Sequence, residues 1–277
     1  MRRLIIATAA GIAILASASA TAQLAKDEEG VKVRRPSLIR NLVSAAKLEK
    51  AALQQYEQLR GQAVSRNALL AADDPQTKRV QRIADDLLPH TRKWHPRAKD
   101  WQWQVIVVKT PTINALCMPG GKIAVFTGIL DGLKLTDDEA AMVLGHEMAH
   151  ALREHARART AKVTLTNAGA LAVGLLIGGN MGELARQGGG LLSLKFNRDD
   201  ERDADLIGME LAARAGYNPE AGITLWEKMS KAVRGTPPPW LSTHPSGEDR
   251  IARMKQNMKY VLPLYERARA NKPPAPN

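Results

Sequence analysis

A single cysteine, Cys117, in 277 residues leaves no partner for an internal disulfide, so the fold must rest on its core. The chain is long enough to bury one, and its length suits one domain with helical additions. Aromatic residues make up only 4% of the chain, and the Lys and Arg residues are scattered. That excludes a nucleic-acid module built on stacking platforms and a basic stripe. Acidic residues are in deficit, 28 Asp and Glu against 40 Lys and Arg, for a formal charge of +12. Such a balance suits acidic clients or peripheral association with an anionic membrane surface. The apolar runs Leu4 to Leu15 and Ala168 to Gly178 are both shorter than the ~20 residues that cross a bilayer. No internal repeat or tetratricopeptide-like array is visible, and nothing signals an oligomeric state.

What the chain does have is His146-Glu147-Met148-Ala149-His150. In a helix, residues i and i+4 share a face, so both imidazoles reach one ion while Glu147 sits beside them as a general base. The helix is predicted independently of the motif. Thr136 and Glu139 form a capping box, Asp137 and Asp138 suit the positive end of the dipole, and Ala140, Val143, Leu144, Met148, Ala151 and Leu152 recur at helical spacing. An amphipathic helix is expected to run to about Arg157.

A catalytic zinc takes three protein ligands and keeps one position open. A metzincin would place glycine three and histidine six residues after His150, where this chain has Arg153 and Ala156. His155 lies about half a turn from His146 on a continuous helix and reads as a surface or second-layer residue. A thermolysin-like glutamate would fall roughly twenty residues on, where the chain reads Ala168-Gly169-Ala170. The next acidic run is Asp199-Asp200-Glu201-Arg202-Asp203-Ala204-Asp205, opening a second helix on which Glu201, Asp205 and Gly208 share one stripe. Glu201 can complete the metal shell, and Asp205 can accept the second ring N–H of a ligating histidine. Gly208 would let the two helices pack closely. Taken alone, so mixed a run reads as a solvated helix face.

Together these segments resemble the M48 family of zinc metallopeptidases. The resemblance rests on His146 to His150, on Glu201-Arg202-Asp203-Ala204-Asp205, on Asn114-Ala115-Leu116-Cys117-Met118-Pro119-Gly120-Gly121, and on Thr243-His244-Pro245-Ser246 followed by Arg250-Ile251, over roughly residues 75 to 258. It implies Zn2+, one per chain, with Glu201 rather than Asp199, Asp200 or Asp203 as third ligand. It also implies an α+β, predominantly helical, gluzincin-like core, with a small sheet whose edge strand lies beside the active-site helix. Asn114, Ala115, Leu116, Cys117 and Met118 would lie near that edge, where an extended substrate adds as a strand. His244 and Arg250 are placed facing the site as oxyanion donors, and His244 could instead close the metal's open position. Cys117 itself reads as a small buried residue.

The rest of the chain divides around this core. Met1-Arg2-Arg3, an apolar core and small residues to Ala22 read as a cleavable signal peptide, 1–22, and hence as export to the periplasm. Its removal would leave a charge of about +10. An N-terminal helical segment, 23–74, is expected next, with helices over Ser37 to Leu59 and Pro75 to Trp94. Trp101 to Lys109 and Lys122 to Thr127 read as strands, with Trp101 and Trp103 as packing residues. Val163 to Leu194 reads as a packed helix with a mobile Gly-rich loop, and 259–277 as a tail ending in a disordered Lys272-Pro273-Pro274-Ala275-Pro276. Two functions fit. One is a zinc endopeptidase cutting unfolded or misassembled envelope proteins. The other is a zinc-stabilised periplasmic holdase or assembly factor whose peptidase site is normally closed.

Overall fold

The structure is a computed structural model that describes residues 29–171, 195–232, 237–245 and 248–271. The proposed signal peptide, the Gly-rich segment from 172 to 194 and the Pro-rich end lie outside these residues. Helix α1 spans Ala45–Ser65 and α2 Pro75–Leu87; strands β1, β2 and β3 span Gln104–Val108, Ala115–Met118 and Lys122–Phe126. A short α3, Thr127–Leu130, leads to α4, Asp137–Leu152, and α5, His155–Leu171. Then come α6, Arg198–Arg214; α7, Ala221–Ala232; α8, Pro239–Thr243; and α9, Glu248–Ala270.

The caps explain the helix starts. Glu139 N donates to Thr136 Oγ1 at 3.2 Å and Thr136 N donates back to Glu139 Oε2 at 2.8 Å, so the capping box of α4 is complete. Asn197 caps α6 by accepting from the backbone N–H groups of Asp199 and Asp200, both at 2.9 Å. Asp74 caps α2 ahead of Pro75, whose missing N–H costs nothing at that position.

Several boundaries differ from those expected. The helix predicted from Ser37 is a 3-10 turn, Leu38–Leu42, followed by a break at the extended Val43. Ser44 then starts a new helix that continues past Leu59 to Ser65. The one predicted from Pro75 to Trp94 tightens to 3-10 geometry at Leu88, because Pro89 lacks an N–H and its ring clashes with the turn before it. Helix α4 stops at Leu152 rather than Arg157: Glu154 adopts φ +54, a left-handed conformation that costs a non-glycine residue about 1–2 kcal/mol. Arg40 and Arg157 hold its carboxylate at 3.0 and 2.8 Å. Nor is α4 amphipathic: every residue from Glu139 to Leu152 is buried, with α2, α6, α7 and β2 packed around it.

The sheet has the order β1-β3-β2, with β1 parallel and β2 antiparallel to β3. Cys117 pairs with Ile123 and Ala115 with Val125, which makes β2 an edge strand against α4. The β2–β3 turn uses Gly120 and Gly121 at φ +82 and +78. A Cβ on Gly121 would lie 2.7 Å from the Trp103 ring, so Trp103 seats on that turn. Trp101, largely buried, packs against it with ring centroids 5.5 Å apart. The segment before residue 75 belongs to the same body. Val31 N donates to the fully buried Glu210 at 2.8 Å, and Lys93 and Arg214 both grip the Glu29 carbonyl. Helix α9 likewise runs through residues 258 and 259 without interruption.

Helices α4 and α6 pass backbone against backbone. A Cβ on Gly208 would come within 2.8 Å of His146 N, and one on Gly145 within 2.8 Å of Gly208 O. Neither neighbour can yield, because both are helix backbone. Gly208→Ala is therefore expected to lower stability by about 1–3 kcal/mol in urea titrations. Gly61→Ala, in exposed helix with nothing within 4 Å, should raise it by about 0.5–1 kcal/mol. Equal effects of the two would contradict this packing.

Candidate metal centre

Two helices and the residue after a third bring their polar side chains to one point. Helix α4 supplies His146 and His150, α6 supplies Glu201, and His244 follows the short α8. His146 Nε2 lies 3.2 Å from His150 Nε2 and 3.2 Å from His244 Nδ1. Glu201 oxygens lie 3.5 Å from His146 Nε2, 3.4 Å from His150 Nε2 and 3.1 Å from His244 Nδ1. Four ligands about 2.0–2.1 Å from a tetrahedral zinc are separated by about 3.3–3.4 Å from one another, so these spacings suit that ion. The donor set, imidazole nitrogens with one carboxylate, is also a zinc set. All four residues are buried to 3% exposure or less.

Behind the donors lies a carboxylate pair and its counter-charge. Asp205 Oδ1 is 3.1 Å from His146 Nδ1, which fixes the proton on Nδ1 and frees Nε2 for the metal. Arg250 grips Asp205 with Nε and Nη2, both at 2.6 Å, and its Nη1 lies 2.8 Å from Glu201 Oε2. Its guanidinium stacks on Trp226 at 3.7 Å. Buried in this way, Arg250 faces the carboxylates from behind, not the cleft where an oxyanion would form. The placement favours an orienting role over the oxyanion role expected for it.

Electrostatics follow from this crowding. Burial alone would lower the His146 pKa, but hydrogen bonds to Asp205 and Glu201 overcome it and raise it to about 9. Burial, reinforced by the neighbouring histidines, holds His150 well below its ordinary value. Glu201 meets a burial penalty too, yet His146 and His244 hold its carboxyl far below the usual range. Asp205 meets the same burial penalty and is likewise depressed, because the charges and hydrogen bonds of Arg250 and His146 together outweigh it. A proton on His146 and a bound cation are thus alternative ways of balancing the same carboxylate charge.

Glu147 is buried beside the donors, and its Oε1 accepts from Trp240 Nε1 at 2.7 Å and lies 3.5 Å from His244 Nε2. The cleft in front is walled by Asn114, Ala115, Leu116, Cys117 and Met118 on one side and by Glu147, His150, Phe196 and His244 on the other. Burial and the Glu147 charge keep the Cys117 thiol well above its ordinary pKa, and hence neutral. All the predicted site residues thus gather at one place. The sequence reading missed Trp240, Phe196, whose ring sits 3.9 Å from that of His150, and Gly145. Only Gly145 left a trace, as a glycine in a helix interior beside a ligand. His155, read as outside the ligand set, is buried with Nδ1 3.1 Å from His150 Nδ1.

Comparison with known proteins agrees with this geometry. A family model described as peptidase family M48 matches residues 74–258. The chain is 34% identical to the mitochondrial metalloendopeptidase OMA1 of Danio rerio over 232 residues, 76% of this chain and 46% of that protein. It is 29% identical to metalloprotease LoiP of Escherichia coli over 150 residues, 53% of this chain and 59% of the relative. A third relative, the beta-barrel assembly-enhancing protease of E. coli, is 28% identical over 186 residues, 61% of this chain and 37% of the other. The chain thus spans between 37% and 59% of the length of these relatives.

The sign of the pH dependence follows from His146. Its folded pKa, about 9, lies above the ordinary 6.5, so this proton stabilises the metal-free fold fully below pH 6.5 and is lost as pH rises through 9. Zinc must displace it. Zinc affinity, measured by chelator competition, is expected to rise about tenfold per pH unit from 6.5 towards 9 and then level. Asp205→Asn should weaken zinc by about 10–100-fold and flatten the slope. An affinity independent of pH across that range would contradict the assignment.

Proposed function

This chain belongs to peptidase family M48, and from that premise we propose that it is a zinc endopeptidase that cuts unfolded or misassembled proteins of the cell envelope. The observation that carries the proposal is Glu147. A purely structural zinc has no use for a carboxylate placed beside the donor cluster at the cleft. Zinc held by His146, His150 and Glu201 would polarise the scissile carbonyl and acidify water. Glu147, steadied through one oxygen by Trp240, takes the proton of the attacking water with the other and delivers it to the leaving amine. Asp205 and Arg250 act from behind, orienting His146 and Glu201.

Substrate is held by β2. Its outer edge pairs with no strand among the described residues, and Asn114 to Met118 wall the cleft, so an extended peptide adds there through main-chain hydrogen bonds. Such binding selects for extended chain over sequence, which suits unfolded clients. Export through residues 1–22 and the likeness to a beta-barrel assembly-enhancing protease support an envelope setting in the periplasm. Among the described residues no helix is long and apolar enough to cross a membrane. The basic charge supports peripheral contact with anionic lipid.

One observation favours a second reading, a holdase or assembly factor whose peptidase site is normally closed. His244 Nδ1 stands as a fourth donor within 3.1–3.2 Å of Glu201 and His146, where an open position would be needed for catalysis. Digestion of an unfolded model protein by zinc-loaded chain, with Glu147→Gln beside it, separates the readings. Wild-type cleavage with a loss of about 10²–10⁴-fold in Glu147→Gln, zinc content unchanged, is the expected result. Equal activity in the variant would sink the peptidase mechanism, and cleavage only on changing His244 would assign the closed site.

A further inference from the structure

His150 raises a question that the zinc reading of the site leaves unanswered. With Nε2 committed to the metal, its Nδ1 carries the proton and needs an acceptor, since a buried N–H without one is costly. For His146 that acceptor is Asp205. For His150, among the described residues, Nδ1 meets another imidazole, His155 Nδ1, at 3.1 Å. We propose that His155 is a positioning residue for the metal centre, a neutral imidazole that accepts from His150 Nδ1–H through its own Nδ1 and turns its Nε2–H towards Asp200. This inference rests on the zinc reading and adds the outer half of the second ligand.

Two independent features point the same way. On an unbroken helix position i+5 is turned about 140° from i, so His155 could not meet His150. The chain breaks α4 at Arg153–Glu154, with Glu154 in the left-handed region, and α5 restarts at His155, which is thereby returned beneath His150. The break is held rather than loose, because Arg40 and Arg157 clamp Glu154 and Arg153 donates to the Arg34 carbonyl. On its far side His155 Nε2 lies 3.8 Å from Asp200 Oδ1, and that carboxylate also takes a 2.6 Å hydrogen bond from Asn197 Nδ2. Arg34, from the segment ahead of the family-matched region, lies 3.7 Å from Asp200. The two ligand histidines are thus backed differently: His146 by a carboxylate held by arginine, and His150 by an imidazole with a carboxylate 3.8 Å beyond it.

The test needs no activity. Zinc affinity by chelator competition and the visible spectrum of the cobalt-substituted protein are compared in wild type, His155→Leu and His155→Gln. Leucine removes the acceptor and keeps the bulk, and should weaken metal binding by about 10–100-fold and shift the cobalt bands. Glutamine returns an acceptor oxygen and should recover most of the loss. Equal losses in both variants, or leucine binding as well as wild type, would overturn the proposal. If the leucine variant does not fold, 15N shifts of the wild-type zinc protein decide. His155 protonated on Nε2 alone is the expected tautomer, and a proton on its Nδ1 would overturn the inference. A wild-type chain that holds no zinc would overturn the underlying zinc reading instead, and activity of that chain plays no part in the distinction.

Discussion

The backbone contact between Gly145 and Gly208 sets the distance between the two helices that carry the metal donors. His146 and His150 ride on α4 and Glu201 on α6, so their spacing of 3.4–3.5 Å is inherited from how closely those backbones pass. A side chain at either glycine would push the helices apart and carry Glu201 out of reach of both imidazoles. Packing and chemistry here are the same constraint. The capping box of α4, the burial of that helix on every side and the seating of the N-terminal segment on Glu210 all hold helices that meet at this contact.

Holding the site together also means tolerating charge in the core. Glu201 and Asp205 are buried carboxylates less than a turn and a half apart on one helix, and like charges in a low-dielectric interior are unfavourable unless neutralised. Arg250 neutralises them from one side, and a proton on His146 or a cation does so from the other. The same electrostatics therefore link metal binding to protons, since a bound cation takes the place of the proton on His146. Trp226 beneath Arg250 and Trp240 on Glu147 show how aromatic side chains finish the site, one by stacking on a charge and one by donating to it. Both lie outside any motif.

What the sequence made legible was whatever is encoded locally. The capping box at Thr136, the i, i+4 histidines, the stripe of Glu201, Asp205 and Gly208, and the Pro-Gly-Gly turn each sit within a few residues and follow from helix or turn geometry. The helical α+β plan with its edge strand came from joining those pieces to a family resemblance. Long-range features stayed hidden. Nothing near Trp240 announces that its indole meets Glu147, 93 residues away, and nothing at Arg250 tells that its guanidinium faces inward. For His155 the spacing left a surface and a second-layer position both open, and only the left-handed Glu154, which breaks the helix, decides for the buried place behind His150. The boundaries at Val43 and Leu88 moved because a cap serine and an interior proline overrode an apolar spacing that would have continued the helix.

A zinc ion bound by His146, His150 and Glu201 at the crossing of α4 and α6 is what the chemistry requires. The most direct test is zinc-edge X-ray absorption of the purified chain together with its metal content. One zinc per chain in a shell of nitrogen and oxygen at about 2.0–2.1 Å is the predicted result. A chain without zinc, or a shell containing sulfur at about 2.3 Å from Cys117, would contradict it.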